Sequence, residues 1–393
     1  ETAIGRMTRK SPVGAFKSFG KKKWLSFGGW INAVIPVLIV PYYSVIGGWV
    51  IKYLVEYFRG NAKLLAEDGY FTDFISNGVS TELCFVAFCA FTLIIIFAGV
   101  QNGIERVSKI MMPILIVLSV IIAVYSVTRP GALAGVKYFL VPNVKNFSWM
   151  TVVSAMGQMF YSLSIAMGIL ITFGSYMKKD TAIEDSTRNV EVFDTGIAIM
   201  AGLMIIPAVF AFSGGDPDTL QAGPSLMFIT IPKVFQNMGF GTVIGIVFFL
   251  LVLFAAITSS IALTESAVST FEDELGWGRK KATVLVGVIM LVLGSLSSLG
   301  YGPLAGIKII GMQFLDLFDF LTNSVMMPIA ALLTSLLVSR VVGIDKIEDE
   351  IIHGESAFRR KKVFVVMIKY LCPVFAIIIL LSSVANALGW IKM

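Results

Sequence analysis

Long apolar runs alternate with short charged segments along nearly the whole chain. Uncharged stretches cover Trp24–Ile51, Leu83–Ile104, Ile110–Thr128, Asn146–Met177, Thr195–Gly215, Val234–Thr264, Ala282–Ile307, Phe320–Ser339 and Tyr370–Ile391. About 18–20 apolar residues in a helix suffice to cross a bilayer, so each run predicts a transmembrane helix. Several runs exceed one crossing and must include loop or tilted helix. The glycine-rich segments 213–224 and 298–307 predict re-entrant or surface structure rather than further spans. The pattern is that of an all-α polytopic membrane protein with nine spans.

Composition sharpens this. The 393 residues are 56% hydrophobic and only 14% charged, against about 25% charged in soluble domains. A soluble enzyme and a secreted disulfide scaffold are excluded. The net charge of +6 resides in loops, and no basic stripe interleaved with aromatics suggests nucleic acid. One set of alternate loops is rich in Lys and Arg, from Arg6–Lys23 through Arg106 and Lys109, Lys178–Arg188 and Arg279–Lys281 to Arg340–Lys362. The opposite set is sparse, so the rich set faces the cytoplasm. The chain then starts inside and ends outside, as an odd number of spans requires. The expected location is a membrane that the chain crosses several times.

Candidate chemistry is confined to a few places. His353 is the single histidine and cannot build a His-rich metal site or a triad. Cys84, Cys89 and Cys372 lie in apolar runs and read as buried small hydrophobes. The run GQMFYSLSIAMG at 157–168 interrupts a span with Ser162, Ser164 and glycines. It reads either as local unwinding at a protein-lined cavity or as small residues packed against a neighbouring helix. Ala255-Ala256-Ile257-Thr258-Ser259-Ser260 offers hydroxyl oxygens that suit Na⁺, or that back-bond their own helix. Asp194 borders the span expected from Thr195; an intramembrane acid points to an ion pathway, or is solvated at a helix end. Glu265 reads as a second such acid or as a buried carboxyl bonded to a neighbour. Tyr42 and Tyr43 sit mid-span, where a phenol needs a partner, from packing or from a substrate carboxylate. Asp316 and Asp319 open a span from outside.

Several ordered blocks together resemble the neurotransmitter:sodium symporter family, in its bacterial amino-acid branch with the LeuT fold. The blocks are ETAIGR at 1–6, YYSVIGGW at 42–49, NGIERVSKIMMP at 102–113, GQMFYSLSIAMG at 157–168, FAAITSSIALTESAVSTFEDEL at 254–275 and LDLFDF at 315–320. The resemblance spans essentially the whole chain and implies a LeuT-like inverted-repeat fold in one transporter domain over 1–393. In that frame 1–23 is a cytoplasmic loop, 24–128 the remainder of the first repeat and 146–340 the second. A cytoplasmic loop at 341–362 and a final helix at 363–391 follow. ETAIGR resembles the cytoplasmic end of the family's second helix, so the chain is expected to be truncated at its start, its spans matching the third to the eleventh.

The resemblance also implies roles. Tyr43 is similar to the tyrosine that holds the substrate carboxylate, and Tyr161 to the lid over the substrate. Ser164, Met167, Ser259 and Leu263 fall at substrate positions. Ser162 and Asp194 match the first Na⁺ site, and Ala255, Thr258 and Ser259 the second. Asp319 resembles the acidic half of the outer gate; Tyr176 and Asp273 resemble parts of the inner gate. The serine that chloride-dependent members carry one turn after the first Na⁺ residue is Ala198 here, which implies chloride independence. Met167 in place of a pocket aromatic implies room for sizeable hydrophobic or aromatic side chains. The implied activity is Na⁺-coupled symport of amino acids by alternating access, with Na⁺ as coupling ion and no cofactor. A non-transporting amino-acid sensor of the same fold and an ion channel stay open as alternatives. No nucleophile–base set or HExxH pattern supports an enzyme. Oligomeric state is not legible.

Overall fold

In the computed structural model, residues 1–216, 220, 223–355 and 357–387 are described. Helix dominates throughout. Two short helices, α1 (Thr2–Thr8) and α2 (Pro12–Lys17), lead into the long α3 (Lys23–Phe58). Then come α4 (Gly78–Phe97), α5 (Val100–Val127) and the short α6 (Ala132–Leu140). A broken pair follows, α7 (Trp149–Ser162) and α8 (Ile169–Tyr176), before α9 (Ile183–Ser213) and the short α10 (Ile231–Gln236). The remainder is α11 (Gly241–Leu275), α12 (Arg279–Leu299), α13 (Phe314–Val342), the short α14 (Ile344–Ile352) and α15 (Lys361–Asn386). Among the described residues, 8 helices are continuous, long and apolar enough to cross a membrane. The ninth expected span, Asn146–Met177, is occupied by the broken pair, whose halves have 14 and 8 residues.

Several boundaries differ from those expected. The segment 1–23, expected as loop, carries α1 and α2, and residue 23 already opens α3. The expected span ending at Ile104 stops at Phe97, and the chain turns at Ala98–Gly99. Residues 100–109 then begin α5 despite Glu105, Arg106 and Lys109. Likewise α9 begins at Ile183, twelve residues before Thr195. The reason is common to both: at the water interface a helix continues through charged residues, so the edge of an apolar run marks the edge of lipid and not of helix. Conversely, residues 234–240 of the expected Val234–Thr264 span form the end of α10 and a turn. Residues 388–391 of the final expected helix lie outside the described residues, as do 217–219, 221 and 222.

The core is organised by α3. It packs against α11, α4 and α12, while α5 packs against α9 and α11, and α15 lies against α13 and α7. Twenty-two of the residues of α3, among them Ile35, Tyr42, Val45, Trp49 and Tyr53, are buried. Its outer end enters an aromatic cluster in which Trp49 meets Phe71 edge-on at 5.3 Å, Tyr53 meets Phe228 at 5.0 Å, and Phe71 stacks on Phe228 at 5.2 Å. Each such pair adds about 0.5–1.5 kcal/mol beyond area burial. Other helices turn apolar faces outward: Ile110, Val117, Val120, Ile121 and Val124 of α5 are all exposed. That is the face a bilayer covers.

Candidate functional site

The break between α7 and α8 sets the geometry. After Ser162 the backbone leaves the helix, and Ser164, Ala166 and Gly168 adopt positive φ of 55°, 60° and 71°. Left-handed conformation at non-glycine residues costs about 1–2 kcal/mol each, so something must hold it. Two contacts do. Glu1 Oε1 accepts the backbone N–H of Ala166 at 2.8 Å. At Gly168 a Cβ would stand 2.6 Å from Pro12 Cγ and 2.8 Å from the Asn32 carbonyl oxygen, so only glycine fits against α2 and α3. The segment is therefore unwound, and the alternative of a continuous helix is set aside. Below the break, α8 lies directly on α1: a Cβ on Gly174 would meet the Thr2 carbonyl oxygen at 2.4 Å.

Candidate polar groups come from three helices. Ser162 Oγ donates to Asp194 Oδ1 at 2.7 Å, joining the end of α7 to α9 across 32 residues of sequence. Because α9 starts at Ile183, Asp194 sits three turns into a helix rather than at its end, and its reading as a helix-end acid is corrected. On α11, Thr258 Oγ1 donates to the carbonyls of Phe254 at 3.1 Å and Ala255 at 3.0 Å. Its lone pairs stay free to accept a cation or a donor. Ser259, the next residue on α11, is exposed. Met167 and Leu263 are buried at 3% and 5% exposure.

On the outer side is a cavity of about 410 Å³ with a mixed lining, in which Gln158, Tyr161, Asp319 and Asn323 stand beside Met327 and Ile379. Asp319 Oδ1 accepts from Tyr42 Oη at 3.1 Å and from Asn323 Nδ2 at 2.6 Å. Tyr42 thus finds the partner that a mid-span phenol needs, although its tie to Asp319 carried no signal in the sequence.

On the inner side, Glu265 is fully buried and takes a forked pair from Arg279, Nη1 to Oε1 at 3.0 Å and Nη2 to Oε2 at 2.6 Å. Tyr176 Oη donates to the same Oε1 at 2.7 Å. Of the two readings of Glu265, the bonded carboxyl is the one observed. Arg279 also donates through Nε to the Ile96 carbonyl at 3.0 Å, so the Glu265–Arg279 pair links α4, α8, α11 and α12. Tyr176 and Asp273 do not pair with each other: Asp273 Oδ2 accepts the backbone N–H of Ser11 at 2.6 Å, at the start of α2. A separate clamp was also missed in the sequence. Arg6, with no exposure, donates to Glu350 Oε1 at 2.7 Å, to the Thr181 carbonyl at 2.5 Å and to the Glu350 carbonyl. It ties α1 to α14 and to the loop after α8.

The model of the sodium:neurotransmitter symporter family matches residues 72–390. The chain belongs to this family. Among symporter relatives it is 32% identical to YhdH, an uncharacterized sodium-dependent transporter of Bacillus subtilis, over 98% of this chain and 85% of that protein. It is 30% identical to an uncharacterized sodium-dependent transporter of Haemophilus influenzae, over 98% of this chain and 86% of that one. The crystal structure of MhsT in complex with L-phenylalanine superposes with a TM-score of 0.85 at 32% identity, covering 97% of this chain and 86% of that one. The fold is thus LeuT-like. The protein is a sodium-dependent transporter, a multi-pass protein of the bacterial cytoplasmic membrane, and not a member of an enzyme family.

Proposed function

We propose that this symporter couples inward Na⁺ movement to uptake of a hydrophobic or aromatic amino acid by alternating access, without chloride. The observation that carries the reading is the unwound segment 163–168, with the Asp194 carboxylate of α9 hydrogen-bonded to Ser162 at its edge. Unwound backbone in a membrane is tolerated only beside a protein-lined cavity, and its freed carbonyls and N–H groups suit the two charged ends of a zwitterion. Ser162 and Asp194 would hold one Na⁺; the Ala255 carbonyl with the Thr258 and Ser259 hydroxyls would hold a second. Tyr43 would donate to the substrate carboxylate, and Tyr161 would cover it. Ser164, Met167 and Leu263 would surround the substrate side chain or backbone. Asp319 would close the outer exit, and Tyr176 and Asp273 the inner one. Each ligand preorganises the break for the other, a reciprocal coupling of about 1–3 kcal/mol.

The bound L-phenylalanine of MhsT and the flexible Met167 side chain both favour a large apolar or aromatic substrate. Asp194 supplies a fixed negative charge one turn before Ala198, which has no hydrogen to donate to an anion, and this favours chloride independence. The test is uptake of labelled L-phenylalanine into proteoliposomes. Accumulation above equilibrium under an inward Na⁺ gradient, unchanged when gluconate replaces chloride, is the expected result. Na⁺-dependent binding without accumulation would replace transport with sensing, and single-channel currents would replace it with conduction.

A further inference from the structure

An uncompensated positive charge lies at the foot of α3. Residues 2–51 contain seven basic residues and no acidic one. Elsewhere on the cytoplasmic side basic groups find carboxylates: Arg6 pairs with Glu350, Lys17 with Glu274 and Arg279 with Glu265. Lys21, Lys22 and Lys23 do not. All three are exposed, and none takes part in the ten ion pairs of the described residues. Orientation in the membrane is served by any of the cytoplasmic basic residues, so it does not account for three unpaired ones in succession.

The helix above them shows what they face. Although α3 is buried over most of its length, one side opens at its cytoplasmic end. Lys23, Phe27 and Trp30, at i, i+4 and i+7, fall on a single stripe and are exposed, Phe27 at 55% and Trp30 at 38%. Val34, Val37 and Leu38 continue that stripe half-buried. Lys17 Nζ lies 5.9 Å from the centre of the Trp30 ring, within reach of a cation–π contact. Lipid covers an exposed apolar stripe on a membrane helix, and an ammonium follows it into hydrocarbon only at a cost. The change from Phe27 to Lys23 takes one turn, about 6 Å, so hydrocarbon gives way to headgroups within it. An exposed tryptophan at that level is the usual interfacial anchor.

We propose that the foot of α3 is a site for an anionic phospholipid of the inner leaflet. The ammonium groups of Lys21, Lys22 and Lys23 hold its phosphodiester, and an acyl chain lies along Phe27, Trp30 and Val34. Phosphatidylglycerol carries the net negative charge this needs. Phosphatidylcholine presents the same phosphate already neutralised by its own ammonium, so it fits the apolar stripe but not the lysines. The site is independent of which substrate is carried.

The test uses the full protein, delipidated and re-equilibrated with equal amounts of dioleoyl phosphatidylglycerol and phosphatidylcholine, with retained lipid read by native mass spectrometry. Preferential retention of phosphatidylglycerol is expected. An anionic surface is worth roughly fivefold per lysine, so Lys21→Gln/Lys22→Gln/Lys23→Gln should lower that preference by about tenfold or more. Lys178→Gln/Lys179→Gln, which neutralises two exposed lysines in the loop after α8, should leave it nearly unchanged. Should the triple variant fail to fold, the unaltered protein in nanodiscs decides alone. There phosphatidylglycerol, relative to phosphatidylcholine, should shield Lys21, Lys22 and Lys23 from an amine-acylating reagent more than it shields Lys178 and Lys179. Inorganic phosphate added to the phosphatidylcholine discs should give no such shielding. Equal retention of the two lipids, a preference that survives the triple variant or falls equally in both variants, or shielding matched by inorganic phosphate would each overturn the proposal.

Discussion

Asparagine in place of Asp194 isolates the charge of the proposed first Na⁺ site while keeping its shape. Ser162 Oγ donates its proton to Asp194 Oδ1 at 2.7 Å. A cation seated between these oxygens turns that proton away, giving up a hydrogen bond to a charged group worth about 1.5–3 kcal/mol. Attraction to the carboxylate must offset this. Two unit charges 4 Å apart attract by about 1 kcal/mol in bulk water and about 4 kcal/mol at an effective dielectric near 20. Asp194 is half-buried, so its share falls between those limits. Asp194→Asn keeps a carbonyl ligand and removes the formal charge, a loss of about 2 kcal/mol, which is roughly thirtyfold in half-saturating Na⁺. Ser162→Ala removes one neutral ligand and also releases the competing hydrogen bond, so it should raise half-saturating Na⁺ less. The assay is the initial rate of labelled L-phenylalanine uptake into proteoliposomes as external Na⁺ replaces K⁺. Half-saturating Na⁺ unchanged in Asp194→Asn, or moved further by Ser162→Ala, would refute the assignment of charge to this site.

The other predictions concern the scaffold around the break. Tyr176→Phe removes one hydrogen bond to the buried Glu265 and should cost about 1.5–3 kcal/mol. In a double-mutant cycle with Glu265→Gln, read as thermal stability in detergent, the pair should couple by about 1 kcal/mol or more, and simple additivity would sink the contact. Arg6→Met strands Glu350 beneath α14, a change that costs about 3–5 kcal/mol when one partner of a buried pair is lost. Arg6→Met with Glu350→Leu should recover most of the lost melting temperature, and a double variant no more stable than Arg6→Met would count against the clamp. Gly168→Ala forces a Cβ into Pro12 and Asn32 at positive φ, adding about 1–2 kcal/mol of backbone strain alone. Uptake should be lost while membrane insertion persists, and wild-type uptake by Gly168→Ala would mean that the break does not need this geometry.

What could be read from the sequence follows from which forces act locally. Lipid imposes apolarity on every residue it touches, so the centres of the spans were legible from hydrophobic runs alone. Helix ends in water carry no such mark, which is why Ile183–Phe193 and Glu105–Lys109 read as loop although both are helical. The break at 163–168 was half legible. Ser162, Ser164 and Gly168 are permissive residues, but permission is not cause, and Ala166 at φ 60° carries no sequence signal. One of the two contacts that hold it comes from 165 residues away, where the Glu1 carboxylate accepts the Ala166 N–H. The only trace available was an acid opening the ETAIGR block, a block read for its resemblance and not for its charge.

The same long-range logic accounts for how the candidate site is held. The unwound segment is joined to α1 by Glu1, to α2 and α3 by Gly168, and to α9 through the adjoining Ser162, while α8 is fastened to α11 and α12 by Tyr176 and Glu265. These ties divide into two kinds. The buried Glu265 has partners on both carboxylate oxygens, from the half-buried Arg279 and from Tyr176, without any ligand. Ser162, Asp194, Thr258 and Ser259 keep lone pairs that the proposed cations could take up. On that proposal the free energy of ligand binding would fall at the break between the two halves. A cation at Asp194 and a zwitterion at the freed backbone would stiffen the same six residues, 163–168. Coupling between the two ligands then requires no relay through the rest of the bundle.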